Sequence, residues 1–307
     1  MLIRTVISYI KDRRTVTGCR LEVVYVLTLM IFAGCFGVSG LEEEYYKKTL
    51  NGDIPVIWKE PKGGALNRPL IIWLDGFTGK KENTVALLSE LTDLGYVALS
   101  FDAYLHGDRR KITDNLWERA FSKNEFRNTM WPIIGRSVED ASVVIDWAIE
   151  ELGVNGDIGI GGFSMGGDIS IAAAGVDGRI KCVVALVSAP DWRRSNMTQL
   201  HQPLVLVDQG EANVEAQRYF DRYNPSTNVG SFSNLPAVSF EMGAKDLHIP
   251  VEGAREFVHR LKREYDGVDA RIVEHDCGHE FYPAMWSNAK FWFNEHLIGS
   301  GQTAERY

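Results

Sequence analysis

The stretch GGFSMGGDIS, from Gly161 to Ser170, sets Ser164 among four glycines. Glycine loses more backbone freedom on ordering than any other residue, so this density signals a bend that only small residues permit. Gly162-Phe163-Ser164-Met165-Gly166 fits G-x-S-x-G, in which a strand turns at once into a helix and leaves a serine hydroxyl exposed on the bend. The context agrees: DIGIGGF (157–163) reads as a strand and a helical stretch follows. The helix N-terminus beneath the serine favours developing negative charge. Nucleotide-binding readings of these glycines fail on spacing. A dinucleotide turn counted from Gly159 and Gly161 needs glycine where Ser164 stands. In GFTGKK (76–81) the lysine is followed by Lys81 rather than Ser or Thr, and Leu74 occupies the place of the first phosphate-loop glycine.

A serine of ordinary acidity needs a base, and the base needs an orienting carboxylate. Asp246 comes just past the strand-like VSFEMGA, and His279 just past RIVEHDCG. The other candidates are placed less well. His275 lies inside the last strand pattern, His248 and His259 lie in or near a helix, and His106 precedes the serine. Asp191 follows a strand and is the rival acid; Glu241 sits within a strand and reads as structural. An oxyanion intermediate needs two backbone N–H donors. Met165, directly after the serine, supplies one, and Phe77, in the loop after IIWLDG, the other.

The elements that must position these groups follow a regular rhythm. YYKKTLNGDIPVIWKEP reads as a hairpin turned at Asn51-Gly52. PLIIWLDG (69–76) reads as a strand apolar on both faces, as in a buried parallel sheet, and YVALSFD (96–102), DIGIGGF (157–163), IKCVVALVSAP (180–190), AVSFEMG (237–243) and ARIVEHD (270–276) read as further strands. Helical spacing separates them, with Val85, Leu88, Leu91 and Leu94 before Gly95, a helix over 136–152, and further helices over 250–265 and 284–297. Alternation of this kind predicts an α/β fold, a mostly parallel central sheet with helices on both faces. Two long segments, 103–135 and 191–235, break the rhythm where strands have just ended, on the edge where α/β ligands bind. They carry Trp117, Phe121, Phe126, Trp131, Trp192 and Phe232 and read as pocket-forming insertions within one catalytic domain, 41–307.

Over roughly residues 50–298 the sequence resembles the α/β-hydrolase superfamily, and within it the dienelactone-hydrolase-like and prolyl-oligopeptidase-like serine esterases of bacteria. DGFTGKKEN, FDAYLHGDRR, GGFSMGG, GAKDLHIP and CGHEF carry the resemblance. Asp102 to Arg110 looks like the D-x-x-x-H-G-x-R segment of small bacterial carboxylesterases. The resemblance implies the chain order serine, acid, histidine, with Ser164 as nucleophile, His279 as base and Asp246 as its orienting acid. It implies a carboxylesterase acting on small-to-medium esters with no metal or cofactor. A carbohydrate acetylesterase or a prolyl-oligopeptidase-type peptidase is the nearest alternative, though a peptidase usually adds a domain that orients its peptide. A non-catalytic binding protein on the same scaffold is the alternative from another class. Two departures stand out. Asp75-Gly76 replaces the usual His-Gly before the oxyanion residue, and Ser164 replaces the cysteine of dienelactone hydrolases, which argues against that activity.

Composition bounds the rest. The 307 residues are 45% hydrophobic, enough for a large core, and the net charge of −8 argues against a nucleic-acid partner. Four cysteines without a CxxC pair indicate neither a disulfide framework nor zinc, and Cys182 and Cys277 read as buried free thiols. Residues 23–41 are uncharged, with Lys11, Arg13, Arg14 and Arg20 before them and Glu42, Glu43 and Glu44 after. That order predicts a signal or lipoprotein leader, or a membrane anchor, over 1–40, and an extracytoplasmic domain. Phe32-Ala33-Gly34-Cys35 resembles a lipobox, with Cys35 as the lipidated residue, although Phe32 replaces the usual leucine.

Overall fold

Runs of five to seven residues become the strands of one sheet, the central ones buried on both faces and the edge ones more open. In the computed structural model, which describes residues 45–298 apart from Ile112 and Asp114, they alternate with helices as the spacing predicts. The leader and Cys35 lie outside the described residues. Among the described residues no helix is long and apolar enough to cross a membrane.

The chain enters through an antiparallel hairpin of β1 (Tyr46–Leu50) and β2 (Ile54–Lys59), turned where Asn51 and Gly52 take φ of 50° and 74°. Then follow β3 (Leu70–Leu74), α1 (Val85–Asp93), β4 (Val97–Phe101), α2 (Leu116–Ser122), α3 (Phe126–Trp147), β5 (Ile158–Phe163), α4 (Met165–Val176) and β6 (Ile180–Leu186). A small hairpin of β7 (Thr198–Gln199) and β8 (Gln202–Leu206) precedes α5 (Val214–Tyr223). The chain closes with β9 (Ala237–Gly243), α6 (Glu252–Glu264), β10 (Ala270–His275) and α7 (Pro283–Phe293). The sheet has eight strands in the order β1-β2-β4-β3-β5-β6-β9-β10. From β4 to β10 every pairing is parallel.

Alternation along β3 divides the core. Ile71 and Trp73 face one layer with Leu88 and Leu91 of α1 and Met285 and Trp286 of α7. Leu70, Ile72 and Leu74 face the other, with Val138 of α3, Ile169 of α4 and Phe257 of α6. Each such side chain contributes roughly 1.5–3 kcal/mol on burial, so the sheet is fixed from both faces. The chain leaves β3 toward one edge and β5 toward the other. The loops after these two strands therefore diverge and open the crevice in which α/β folds bind ligands.

One helix departs from expectation. The segment 103–135 reads as insertion because it breaks the strand–helix rhythm, yet α3 begins at Phe126 and runs through Pro132 and Gly135. Tertiary packing overrides propensity here. A Cβ at Gly135 would lie 2.3 Å from the Tyr219 ring, so glycine is what lets α3 and α5 approach.

Candidate active site

Ser164 stands between the last residue of β5 and the first of α4, with φ 53° and ψ −119°. A non-glycine residue at positive φ is strained, and it persists only where its surroundings over-determine it. They do so here. Ser164 N–H donates to Leu186 O at 2.9 Å, and its carbonyl accepts from Gly167 N at 2.9 Å and Asp168 N at 3.0 Å. A Cβ at Gly162 would lie 2.5 Å from the Gly166 carbonyl carbon, and one at Gly166 would lie 2.4 Å from Leu74 O. The flanking glycines are what permit the bend.

Asp246 and His279 arrive on two loops bonded to each other. Ala244 N donates to His275 O and Lys245 N to Cys277 O, at 2.8 and 2.9 Å. Gly243 leaves room for the second loop, since a Cβ there would lie 2.3 Å from Gly278 O. The Asp246 carboxylate is fully buried. Its Oδ1 accepts from the N–H groups of His248 and Ile249 at 2.9 and 2.8 Å. Its Oδ2 lies 2.7 Å from His279 Nδ1. Donation from Nδ1 leaves the Nε2 lone pair free, and Nε2 lies 3.0 Å from Ser164 Oγ. The three residues named from the sequence are thus brought into one hydrogen-bonded line. The arrangement can take a proton from the serine as it attacks a carbonyl.

The rivals are occupied elsewhere. The Asp191 carboxylate pairs with Arg193 at 2.8 Å. Buried Glu241 holds His275 Nε2 at 2.7 Å and accepts from Asn288 Nδ2 at 2.8 Å. Cys182 and Cys277 are free and buried.

The turn after β3 carries the second expected oxyanion donor. Gly79 N donates to Gly76 O at 3.0 Å, which places Phe77 and Thr78 at the tip, Thr78 with φ 68°. Asp75, the departure from the usual histidine, organises this turn: Oδ1 accepts from Gly76 N and Oδ2 from Asn83 Nδ2, at 2.8 and 2.7 Å. The Phe77 N–H has no partner among the described residues. The Met165 N–H, first in α4, precedes the helical hydrogen-bond ladder.

Sequence reasoning missed three supports. Lys81, almost fully buried, ties the Phe77 turn to the end of β4: its N–H and Nζ donate to the two oxygens of Asp102 at 2.9 and 2.8 Å. Burial works against the ammonium, but its bonds to Asp102, Asp108 and Glu82 outweigh that and raise its pKa. Gly107, at φ +51°, lets the chain curl around Asp102, where a Cβ would collide with the carboxylate. The D-x-x-x-H-G-x-R resemblance was the available signal. Second, Asp168 in the first turn of α4 accepts from Ala189 N and pairs with buried Arg194, linking the nucleophile helix to the segment after β6. Burial pushes the Asp168 carboxyl up against the pull of Arg194. Third, the His248 ring lies 5.0 Å from that of His279, with Nδ1 on Thr198 O at 2.8 Å. Burial, then the neighbouring His279, lowers His248 to about 3, so it stays neutral beside the base.

A largely parallel sheet with an exposed serine on a strand–helix elbow, and acid and histidine on later strand ends, defines an α/β-hydrolase of the serine hydrolase type. The chain belongs to the prolyl oligopeptidase family, which it matches over residues 124–296, more than half its length. That match contains Ser164, Asp246 and His279 but not Phe77 or the Lys81–Asp102 pair. No curated protein matches the chain in sequence. Among solved structures it resembles TT1662 from Thermus thermophilus, with a TM-score of 0.65, 19% identity, and 83% of this chain and 98% of that one covered. It also resembles a putative dienelactone hydrolase from Klebsiella pneumoniae, with a TM-score of 0.57, 19% identity and coverage of 82% and 98%. The Pyrococcus furiosus esterase Pf2001 is similar at a TM-score of 0.55, with 17% identity and coverage of 85% and 98%. At these identities the likeness is one of fold.

Proposed function

We propose that the chain is a serine carboxylesterase. The observation that carries the reading is the continuous line from Asp246 Oδ2 through His279 to Ser164 Oγ, at 2.7 and 3.0 Å. Ser164 Oγ attacks the ester carbonyl carbon while His279 Nε2 takes its proton. The carbonyl oxygen becomes an oxyanion held by the N–H groups of Phe77 and Met165. Collapse breaks the bond to the alcohol oxygen, which takes the proton back from His279. Water, deprotonated by the same nitrogen, then releases the acid and restores the serine. Asp246 fixes the imidazole tautomer throughout and stabilises the imidazolium as it forms.

The family name makes peptide hydrolysis the second reading, since the same line of residues also cleaves amides. Incubation with a fluorophosphonate probe, followed by p-nitrophenyl esters and p-nitroanilide peptides side by side, tests both. Labelling that depends on Ser164 together with ester turnover supports the proposal. Turnover of anilides alone replaces it with the peptidase, and absence of labelling removes both in favour of a binding protein.

We further propose that the leader carries this domain out of the cytoplasm and that Cys35 tethers it by acyl chains. A chain beginning at Leu41 should then be soluble and fully active, and Cys35→Ser should release the full-length protein from membranes. Loss of activity in the shortened chain overturns the leader reading.

A further inference from the structure

A set of aromatic rings leads away from His279 and has no part in the proton transfers. The His248 ring, 5.0 Å from His279, lies 5.7 Å from Phe121. Phe121 lies 4.5 Å from Trp117 and 6.0 Å from Phe77, and Phe77 and Trp117 are 6.2 Å apart. Phe77 is the residue whose N–H is assigned to the oxyanion, so this wall stands directly against the carbonyl.

The wall sits at the margin of the core, with Phe77 and Phe121 packed against it yet left partly open. Leu116 and Ala120 are fully buried and anchor the helix, whereas Trp117 and Phe121 are only half-buried. Four residues apart, these two share one face. Asn115 caps the helix, accepting from Glu118 N at 3.1 Å, so the face is held in place rather than left to a loose loop. No charged side chain belongs to the wall, and His248 is neutral. Half-exposed rings beside a nucleophile, backed by Phe126, His106 and His201 but open on one side, make an apolar site that prefers another ring in offset or edge contact.

The side of the ester follows from the chemistry. The leaving oxygen must lie within reach of His279 Nε2, so the alcohol extends along the histidine, where Phe163 stands 5.7 Å from its ring. Phe77, Trp117 and Phe121 stand one ring further off, behind His248 and around the N–H assigned to the oxyanion, and are taken to face the other substituent of the carbonyl carbon. Resting on the esterase reading, we infer that Phe77, Trp117 and Phe121 form the acyl subsite and that it takes a planar aromatic acyl group, as in phenylacetyl or cinnamoyl esters.

The test compares p-nitrophenyl phenylacetate with p-nitrophenyl acetate, where only the acyl group changes, and benzyl acetate with ethyl acetate, where only the alcohol does. Expected is a kcat/KM about 10-fold or more higher for the aromatic acyl ester. Trp117→Ala and Phe121→Ala should each pull that ratio toward one, chiefly through KM. Trp117→Leu should do the same while keeping apolar bulk, which separates lost ring recognition from a disturbed helix; the rate of fluorophosphonate labelling reports whether each variant is folded. A preference on the alcohol arm alone, or an acyl ratio untouched in variants that still label, overturns the inference and leaves the esterase standing. Failure of all four esters with no labelling overturns both.

Discussion

Two histidine–carboxylate pairs lie side by side at the C-terminal edge of the sheet. His275 Nε2 meets Glu241 and His279 Nδ1 meets Asp246, both at 2.7 Å, and both carboxylates are fully buried. Pairing distance and burial do not tell them apart. What differs is the remainder of each network. Glu241 also accepts from Asn288 and Ser239 and lies 3.5 Å from Arg271, so its oxygens are consumed within the β9–β10–α7 packing. Asp246 spends its second oxygen on backbone N–H groups, and His279 keeps its far nitrogen for Ser164. Strand position decides the outcome: His275 ends β10 inside the sheet, while His279 sits in the loop beyond it. A buried carboxylate–histidine pair is therefore reactive only if the histidine retains a free nitrogen that faces a nucleophile.

The comparison breaks most sharply at the triad. Ser164→Ala and His279→Ala should each lower kcat on the order of 10³-fold or more, because the residues act as a unit. Asp246→Asn should lower it about 10³- to 10⁴-fold by favouring the wrong tautomer, whereas Glu241→Gln should leave kcat of the folded enzyme near its original value. Steady-state rates on one p-nitrophenyl ester decide this, and a severe kcat loss in Glu241→Gln would erase the distinction between the pairs.

Stability should show the reverse order of importance. Glu241→Gln removes the acceptor that holds His275 and should destabilise by roughly 1–3 kcal/mol, read from urea unfolding. The exposed Asp191–Arg193 pair, the rival acid in the sequence, should matter least, with Asp191→Asn costing about 0.5 kcal/mol or less and sparing turnover.

Between these lies a pH effect with a definite sign. His248 is held at about 3, against 6.5 for the free side chain, so in that window the unfolded chain binds a proton that the folded chain refuses. Stability contributed by the neutral ring is present above about pH 6.5 and is lost as pH falls toward about 3. His248→Asn should flatten the fall in melting temperature between about pH 7 and about pH 4. An unchanged slope would mean that the ring is not shielded in solution.

Much of the site could be read in the sequence because its parts are local. The elbow is a contiguous motif, and Asp246 and His279 each follow a strand whose apolar run is unmistakable. The supports could not be read because they join distant segments. Lys81 reaches Asp102 from another loop, Asp168 finds Arg194 across the end of β6, and nothing near Trp117 announces that it will face Phe77. The start of α3 was hidden for a related reason: Gly135 is seated against Tyr219 of α5, which lies far along the chain. The expected leader is a matter for the residues outside the described part of the chain.

The backbone of Ser164 occupies glycine's territory, at φ 53°, and residues held in such regions cost on the order of 1–3 kcal/mol each. Adaptation to heat would find one of its easiest gains at this position: a glycine there relaxes the bend and makes the fold more durable. The same exchange deletes the hydroxyl. Thermal hardiness and turnover thus compete for a single codon, and a lineage that keeps the serine must find its heat resistance elsewhere in the chain.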